Sequence, residues 1–203
     1  ASLLEFYNIP YIGPRNPACV LSCDKELTKL YAKSRGIQTL DYKILYKGDT
    51  LNGVDYPVII KPARLGSSLG IAIAKHQTEL EYAIEQAFEY DEKVLIEPFF
   101  KNIKEYNLAG YKAKDGMHFS FIEEPQKQEI LDFEKKYLDF ARTQNAKEAA
   151  IDETLKQSLQ EAFKKIYENC FEGALIRCDF FFKDSIIYLN EINPIPGSMA
   201  NYL

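Results

Sequence analysis

Near the end of the chain, two carboxylates and an amide recur at a spacing that could hold a divalent cation. In the run Ala174 to Phe182, side chains alternate with period two. Leu175, Arg177, Asp179 and Phe181 share one face, and Ala174, Ile176, Cys178 and Phe180 form an apolar opposite face. In the following run, Ile186 to Asn193, Glu191 and Asn193 share a face. A turn at Lys183-Asp184-Ser185 folds the second run onto the first and can bring Asp179 beside Glu191. Two carboxylates and an amide oxygen then converge, and the carboxylates repel unless a cation lies between them. Hard oxygen ligands suit magnesium, which usually binds a few carboxylates together with phosphate oxygens. The alternative on these residues alone is a solvated polar strand face. Arg177 is either an ion-pair partner or a group that stabilises developing negative charge.

A second group of residues could take an anion. Lys61 ends the β-rich run Tyr56 to Lys61 and precedes Gly66-Ser67-Ser68-Leu69-Gly70. Glycines let backbone N–H groups turn toward an anion, and the serines add hydroxyl donors. The run lacks the Gly-Lys-Ser/Thr ending of a Walker A loop, and a plain hairpin turn is an equal reading. Val94 to Phe100 contains Glu97, with Glu105 just beyond. A strand edge followed by an acid can read a purine amino group; it can also be a core strand ending in a polar turn.

These residues need elements to position them. Asp24 to Arg35 reads as a helix stopped by Gly36, and Tyr42 to Tyr46 as a strand. Tyr56 to Lys61 and Ile71 to Ala74 form a hairpin around the glycine loop. Thr78-Glu79-Leu80-Glu81 has the form of a capping box, opening a helix that buries Leu80, Ala83, Ile84, Ala87 and Phe88. Lys93 to Glu97, Glu105 to Tyr111 and Met117 to Ile122 read as strands, the last two turning at Lys114-Asp115-Gly116. Polar, aperiodic sequence from Glu123 to Asn145 reads as a functional or mobile excursion. Asp152 to Cys170 is the clearest helix, with Leu155, Leu159, Ala162, Phe163, Ile166 and Cys170 on one stripe. Strands and helices mix without a regular βαβ rhythm, which predicts an α+β fold of antiparallel hairpins with helices packed against them.

Composition bounds the rest. The 203 residues carry 46% hydrophobic and 27% charged side chains, ordinary for a chain that buries a core. A net charge of −5 argues against a broad nucleic-acid face. No apolar stretch is long enough to span a bilayer, and no basic run precedes an apolar one at the N-terminus. Cys19, Cys23, Cys170 and Cys178 form no Cys-x-x-Cys pair and lie far in sequence from His76 and His118, which reads as free thiols rather than a zinc site. The first residues read as the middle of a helix, and the last follow a Gly-Ser loop without a closing element, so both ends are expected to be cut from a longer protein.

Taken in order, several runs carry a resemblance. Tyr11-Ile12-Gly13 looks like the end of an N-terminal domain, and Cys23-Asp24-Lys25-Glu26-Leu27-Thr28-Lys29 like an Asp-Lys helix start. Ile59-Ile60-Lys61-Pro62 through Gly66-Ser67-Ser68-Leu69-Gly70 is similar to a Val-Lys-Pro…Gly-Ser-Ser-x-Gly run. Lys136-Tyr137-Leu138, Arg177-Cys178-Asp179 and Asn190-Glu191-Ile192-Asn193 complete the set. Together they resemble the D-alanine–D-alanine ligase family of ATP-grasp enzymes over nearly the whole chain. The resemblance implies an ATP-grasp fold, two α+β subdomains with antiparallel sheets holding ATP between them. Residues 1–20 would end an N-terminal domain, 21–100 form the small subdomain, and 101–203 the large one, incomplete at its end.

It also implies roles. Lys25, Lys61 and Lys136 would hold ATP phosphates; Glu97 and the backbone of Phe100 would read adenine, Glu105 the ribose, and Phe181 would pack on the ring. Asp179, Glu191 and Asn193 would bind two magnesium ions, with manganese as a substitute. Arg177 and the N–H of Gly197 would stabilise a tetrahedral oxyanion, while Ser67 and Tyr137 would orient the first D-alanine and a closed loop over 124–145. Tyr202 and Leu203 fall where the second D-alanine would be held, Tyr202 replacing the family's usual serine. Pro194-Ile195-Pro196-Gly197-Ser198-Met199 departs from the usual Thr-Ser-Pro-Gly-Met-Thr, and Pro98 and Leu65 replace a common lysine and a common acid. The implied setting is cytoplasmic peptidoglycan-precursor synthesis by a homodimer, with ATP and D-alanine as partners and neither nucleic acid nor membrane. Another ATP-grasp ligase or a non-catalytic ATP-binding module are the rival readings.

Overall fold

A computed structural model describes residues 1–51, 53–66, 69–125 and 147–196. Two four-stranded antiparallel sheets carry the chain. The first is built from β1 (Lys43–Tyr46), β2 (Val58–Pro62), β3 (Ala72–Ala74) and β4 (Lys93–Pro98), in the order β1-β4-β2-β3. The second is built from β5 (Lys104–Ala113), β6 (Gly116–Phe119), β7 (Ile176–Lys183) and β8 (Ile186–Asn193), in the order β6-β5-β7-β8. The expected hairpins are present: β2 pairs with β3, β5 with β6 and β7 with β8, all antiparallel.

Helices cover the apolar faces. Three lie near the N-terminus: α1 (Ser2–Phe6), α2 (Asn16–Ser22) and α3 (Lys25–Ser34). α4 (Gln77–Phe88) packs Leu80, Ala83 and Ala87 against Val58, Ile60, Val94 and Ile96 of the first sheet. α5 (Glu153–Tyr167) sends Leu159, Phe163, Ile166 and Tyr167 under the second sheet, where they meet Tyr106, Leu108, Cys178 and Phe180. Ala18, Ala32 and Ile37 join this second core, so α2 and α3 pack on the second sheet although they precede the first in sequence.

Two boundaries differ from the sequence reading. α4 starts one residue before Thr78: His76 is its N-cap, accepting from the Glu79 N–H, while Glu79 reaches back to the Lys75 N–H at 2.7 Å. The capping exchange is therefore shifted two residues toward β3, where extended backbone at His76 leaves the strand directly into the helix. α5 ends at Tyr167 rather than Cys170, because Glu168 turns to extended backbone and Asn169 takes a positive φ of 67°. Cys170 still packs against the core, but from the loop.

The β7–β8 hairpin decides what its polar residues face. Its two-residue turn, Asp184-Ser185, has positive φ at both positions, 51° and 61°, as a type I′ turn requires. That turn alone sets Phe180 opposite Leu189 and, continued regularly, would set Glu191 opposite the buried Cys178. A bulge intervenes between Asp179 and Phe180, with Asn190 the extra residue. Beyond it Asp179 pairs with Glu191 and Arg177 with Asn193. The same bulge lets Leu189 and Ile192, three residues apart, both reach the core at 1% exposure.

Candidate functional site

The polar face of β7 and β8 gathers the expected residues. Asp179 is 5% exposed, and Arg177 grips its carboxylate with two hydrogen bonds, Nε to Oδ1 at 2.6 Å and Nη2 to Oδ2 at 2.9 Å. Asn193 Nδ2 donates to Asp179 Oδ2 at 2.9 Å. Glu191 stands across from Asp179. Burial pushes the Asp179 carboxyl up, with the charge of Glu123 adding to it, against the pull of Arg177 and Asn193. Burial likewise raises Glu191; the Asp179 charge adds, and Lys25 and Lys61 oppose it. Two desolvated carboxylates beside each other favour a bound cation, and the donor set of two carboxylates and one amide is all hard oxygen.

Two lysines approach this face, Lys61 from the first sheet and Lys25 from α3. Lys61 is the next-to-last residue of β2 and is buried. Its Nζ donates to Glu97 Oε2 at 2.7 Å and to Asn190 Oδ1 at 3.4 Å, so it spans the two sheets. Lys25 opens α3. Its N–H donates to the Ala63 carbonyl at 2.9 Å, and its Nζ donates to the carbonyls of Pro62 and Leu65 at 3.2 and 2.5 Å. Burial lowers the Lys25 ammonium pKa and Lys61 adds to that, while Glu191 and Glu97 oppose it. Asp24 holds this corner: it caps α3 through the Glu26 and Leu27 N–H groups and accepts from Lys93 Nζ at 2.9 and 3.0 Å.

Glu97, the fifth residue of β4, pairs with Ile59 of β2. It is 1% exposed, and its two carboxylate oxygens are taken by Lys61 and by Lys29, itself 2% exposed. Burial alone would raise its carboxyl, but the two ammonium groups outweigh that and hold it below the usual carboxylate range. Glu105 and Phe181 face each other across β5 and β7 on the same sheet face as Asp179. Phe100 lies beyond β4, its carbonyl accepting from the Ile103 N–H at 3.3 Å, with Lys183 Nζ 4.8 Å from its ring centroid.

Thus Arg177, Asp179, Glu191 and Asn193 come together, and Lys25, Lys61 and Glu97 face them. Ser67, Lys136, Tyr137, Gly197, Tyr202 and Leu203, and most of the expected loop over 124–145, lie outside the described residues. Sequence reasoning missed three participants. Lys29 sits one helical turn after Lys25 on the same face, a spacing that could have flagged it. Asn190 is the bulge residue, marked only by the broken alternation between Leu189 and Ile192. Asn107 pairs with Asp179 across β5 and β7, which no local pattern reveals.

Two antiparallel sheets, Lys61 on one and a carboxylate–amide face on the other, with Lys25 of α3 beside them, define an ATP-grasp fold. Comparison with known proteins agrees. The family model described as "D-ala D-ala ligase C-terminus" matches residues 32–202. A D-alanine–D-alanine ligase of Wolinella succinogenes is 58% identical over 204 residues, covering 100% of this chain and 59% of that protein. The crystal structure of the Helicobacter pylori D-alanine–D-alanine ligase superposes with a TM-score of 0.86 at 50% identity, covering 100% of this chain and 60% of that one. A Bacillus anthracis D-alanine–D-alanine ligase complexed with ATP superposes with a TM-score of 0.77 at 25% identity, covering 100% and 63%. The chain belongs to the D-alanine–D-alanine ligase C-terminal family. It spans about 60% of the length of these relatives. Among the described residues, no helix is long and apolar enough to cross a membrane.

Proposed function

We propose that this chain supplies the ATP-binding and catalytic part of an ADP-forming ligase that joins two D-alanines through a D-alanyl phosphate, for peptidoglycan precursors. The observation that carries the reading is the meeting of Lys61 from one sheet and Lys25 from α3 with Asp179, Glu191, Asn193 and Arg177 from the other sheet. Phosphate needs the first set and a phosphate-bound cation needs the second.

In this reading ATP lies between the sheets. Lys25 leaves its carbonyl partners for phosphate oxygens, while Lys61 turns its remaining N–H donors to phosphate and Glu97 keeps it and Lys29 in place from below. Glu105 meets the ribose, Phe181 packs on the adenine, and Glu97 and the Phe100 backbone read its edge. Asp179, Glu191 and Asn193 would hold Mg2+ or Mn2+, two ions by the family resemblance, which neutralise phosphate charge when bound. A carboxylate is a poor electrophile, so phosphorylating one D-alanine prepares it for attack by the amine of the second. Arg177, once released from Asp179, offers its guanidinium to the tetrahedral oxyanion, a task the resemblance also gives to the N–H of Gly197. Ser67, Tyr137 and Lys136 would orient the first D-alanine and close over the phosphates; Tyr202 and Leu203 would hold the second D-alanine. Positioning and charge neutralisation supply most of the rate. The remaining assignments, a cytoplasmic homodimer and division into residues 1–20, 21–100 and 101–203, rest on the same resemblance.

The test is phosphate release by the full-length protein from Mg·ATP, with and without D-alanine, with the product followed by chromatography. D-alanine-dependent phosphate release together with D-alanyl-D-alanine supports the proposal. ATP binding without amino-acid-stimulated release points to a binding module, and stimulation by a different acid alone points to another ligase.

A further inference from the structure

A line of polar residues runs across the second sheet. Glu148 pairs with Glu123, Glu123 with Asn107, Asn107 with Asp179, and Asp179 with Glu191. Directly paired antiparallel residues project to the same face. The first three positions have no part in the roles given above. Asn107 is the unusual one. It is 6% exposed, and its Nδ2 donates to Glu123 Oε2 at 3.0 Å, while its Oδ1 is buried without a hydrogen-bond partner among the described residues. Buried acceptors are rarely left unmet.

The orientation of that amide follows from its neighbour. Glu123 as a carboxylate can only accept, so it draws the Asn107 NH2 group toward itself. The carbonyl oxygen therefore turns away from Glu123, within a residue that stands between Glu123 on one side and Asp179 on the other. An unmet acceptor beside two desolvated carboxylates suits a donor brought by the ligand. Magnesium usually keeps several of its waters, and each is a strong donor.

We propose that Asn107 is a positioning residue for the cation site of Asp179 and Glu191: its Oδ1 accepts from a water on the bound ion, and Glu123 sets its amide for that task. The inference rests on the cation reading above and adds the partners that orient the ion's hydration shell, as outer partners orient metal ligands elsewhere. It also explains why an amide at this position is held by an acid that no role for ATP requires.

The test uses full-length protein with ADP, titrated with Mn2+ and followed by the electron paramagnetic resonance of free Mn2+. Asn107→Leu keeps the volume and removes the acceptor, and should weaken Mn2+ binding about tenfold. ADP affinity in EDTA should stay unchanged, and circular dichroism reports whether the variant folds. Asn107→Ala also removes the acceptor but adds no bulk beside Glu123, and it should weaken Mn2+ binding by a similar factor, whereas a purely structural role would leave Mn2+ affinity at the parent value. Asn107→Ala decides alone if Asn107→Leu does not fold. Unchanged Mn2+ affinity in the folded variants overturns the proposal while leaving the Asp179–Glu191 site standing. A parent protein that binds no Mn2+ with ADP overturns that site, and this inference with it.

Discussion

Replacing Glu97 by glutamine tests how the lysines are held. The substitution keeps shape and volume but removes the single negative charge between two buried ammonium groups, Lys29 at 2% and Lys61 at 8% exposure. Breaking a buried pair by deleting one partner typically costs about 3–5 kcal/mol, because the remaining charge stays buried and uncompensated. Here two charges are stranded, but each has partial relief. Lys61 reaches Asn190 Oδ1 at 3.4 Å, and Lys29 lies 5.6 Å from the Tyr42 ring centroid. Burial also lowers the Lys29 ammonium pKa, so it can shed its proton rather than stay charged. The expected loss is therefore near the lower end, about 3 kcal/mol at neutral pH. Urea unfolding of the full-length protein and the variant would measure it. The pH dependence has a definite sign. Glu97 is held below its ordinary carboxylate pKa in the folded state, so its contribution is complete above about pH 4.5 and fades as pH falls through the folded value. The gap between parent and variant should narrow only below about pH 4.5. A loss under about 1 kcal/mol at pH 7, or a gap that does not change in acid, would refute the account.

Three further perturbations have expected outcomes. Lys61→Ala should weaken ATP binding about 10- to 100-fold, the worth of a charge-assisted hydrogen bond, with little change in D-alanine binding; equal affinities by calorimetry would make Lys61 a structural residue only. Asp152→Ala removes the α5 cap that accepts from the Leu155 N–H at 2.8 Å, and denaturation should show a loss of about 1 kcal/mol. Gly110→Ala would place a Cβ 2.8 Å from the His118 carbonyl oxygen and 3.1 Å from Phe119 and Phe163 ring atoms, and the overpacking should cost about 1–3 kcal/mol in the same assay.

Local pattern determined a good part of this protein. Period-two alternation in 174–182 put Arg177 and Asp179 on one face and Ile176, Cys178 and Phe180 in the core, as the structure has it. The apolar stripe of α5, the α4 face and the antiparallel hairpins were legible because side-chain direction follows backbone period over short distances. The ends of α4 and α5 were less so, since caps depend on the backbone a neighbouring strand or loop delivers.

Tertiary structure decided the rest. Asp179 meets Glu191 only because a bulge at Asn190 moves the register by one residue, and register is a relation between strands that neither strand carries alone. The depth of Glu97, its grip on Lys29 and Lys61, and the reach of Lys61 to Asn190 bring together residues 29, 61, 97 and 190. Such burial makes Glu97 the partner of two cations, and burial depends on the packing of both sheets. Residue types and order announced the chemistry; the distances that make it possible arise where separate parts of the chain exclude water together.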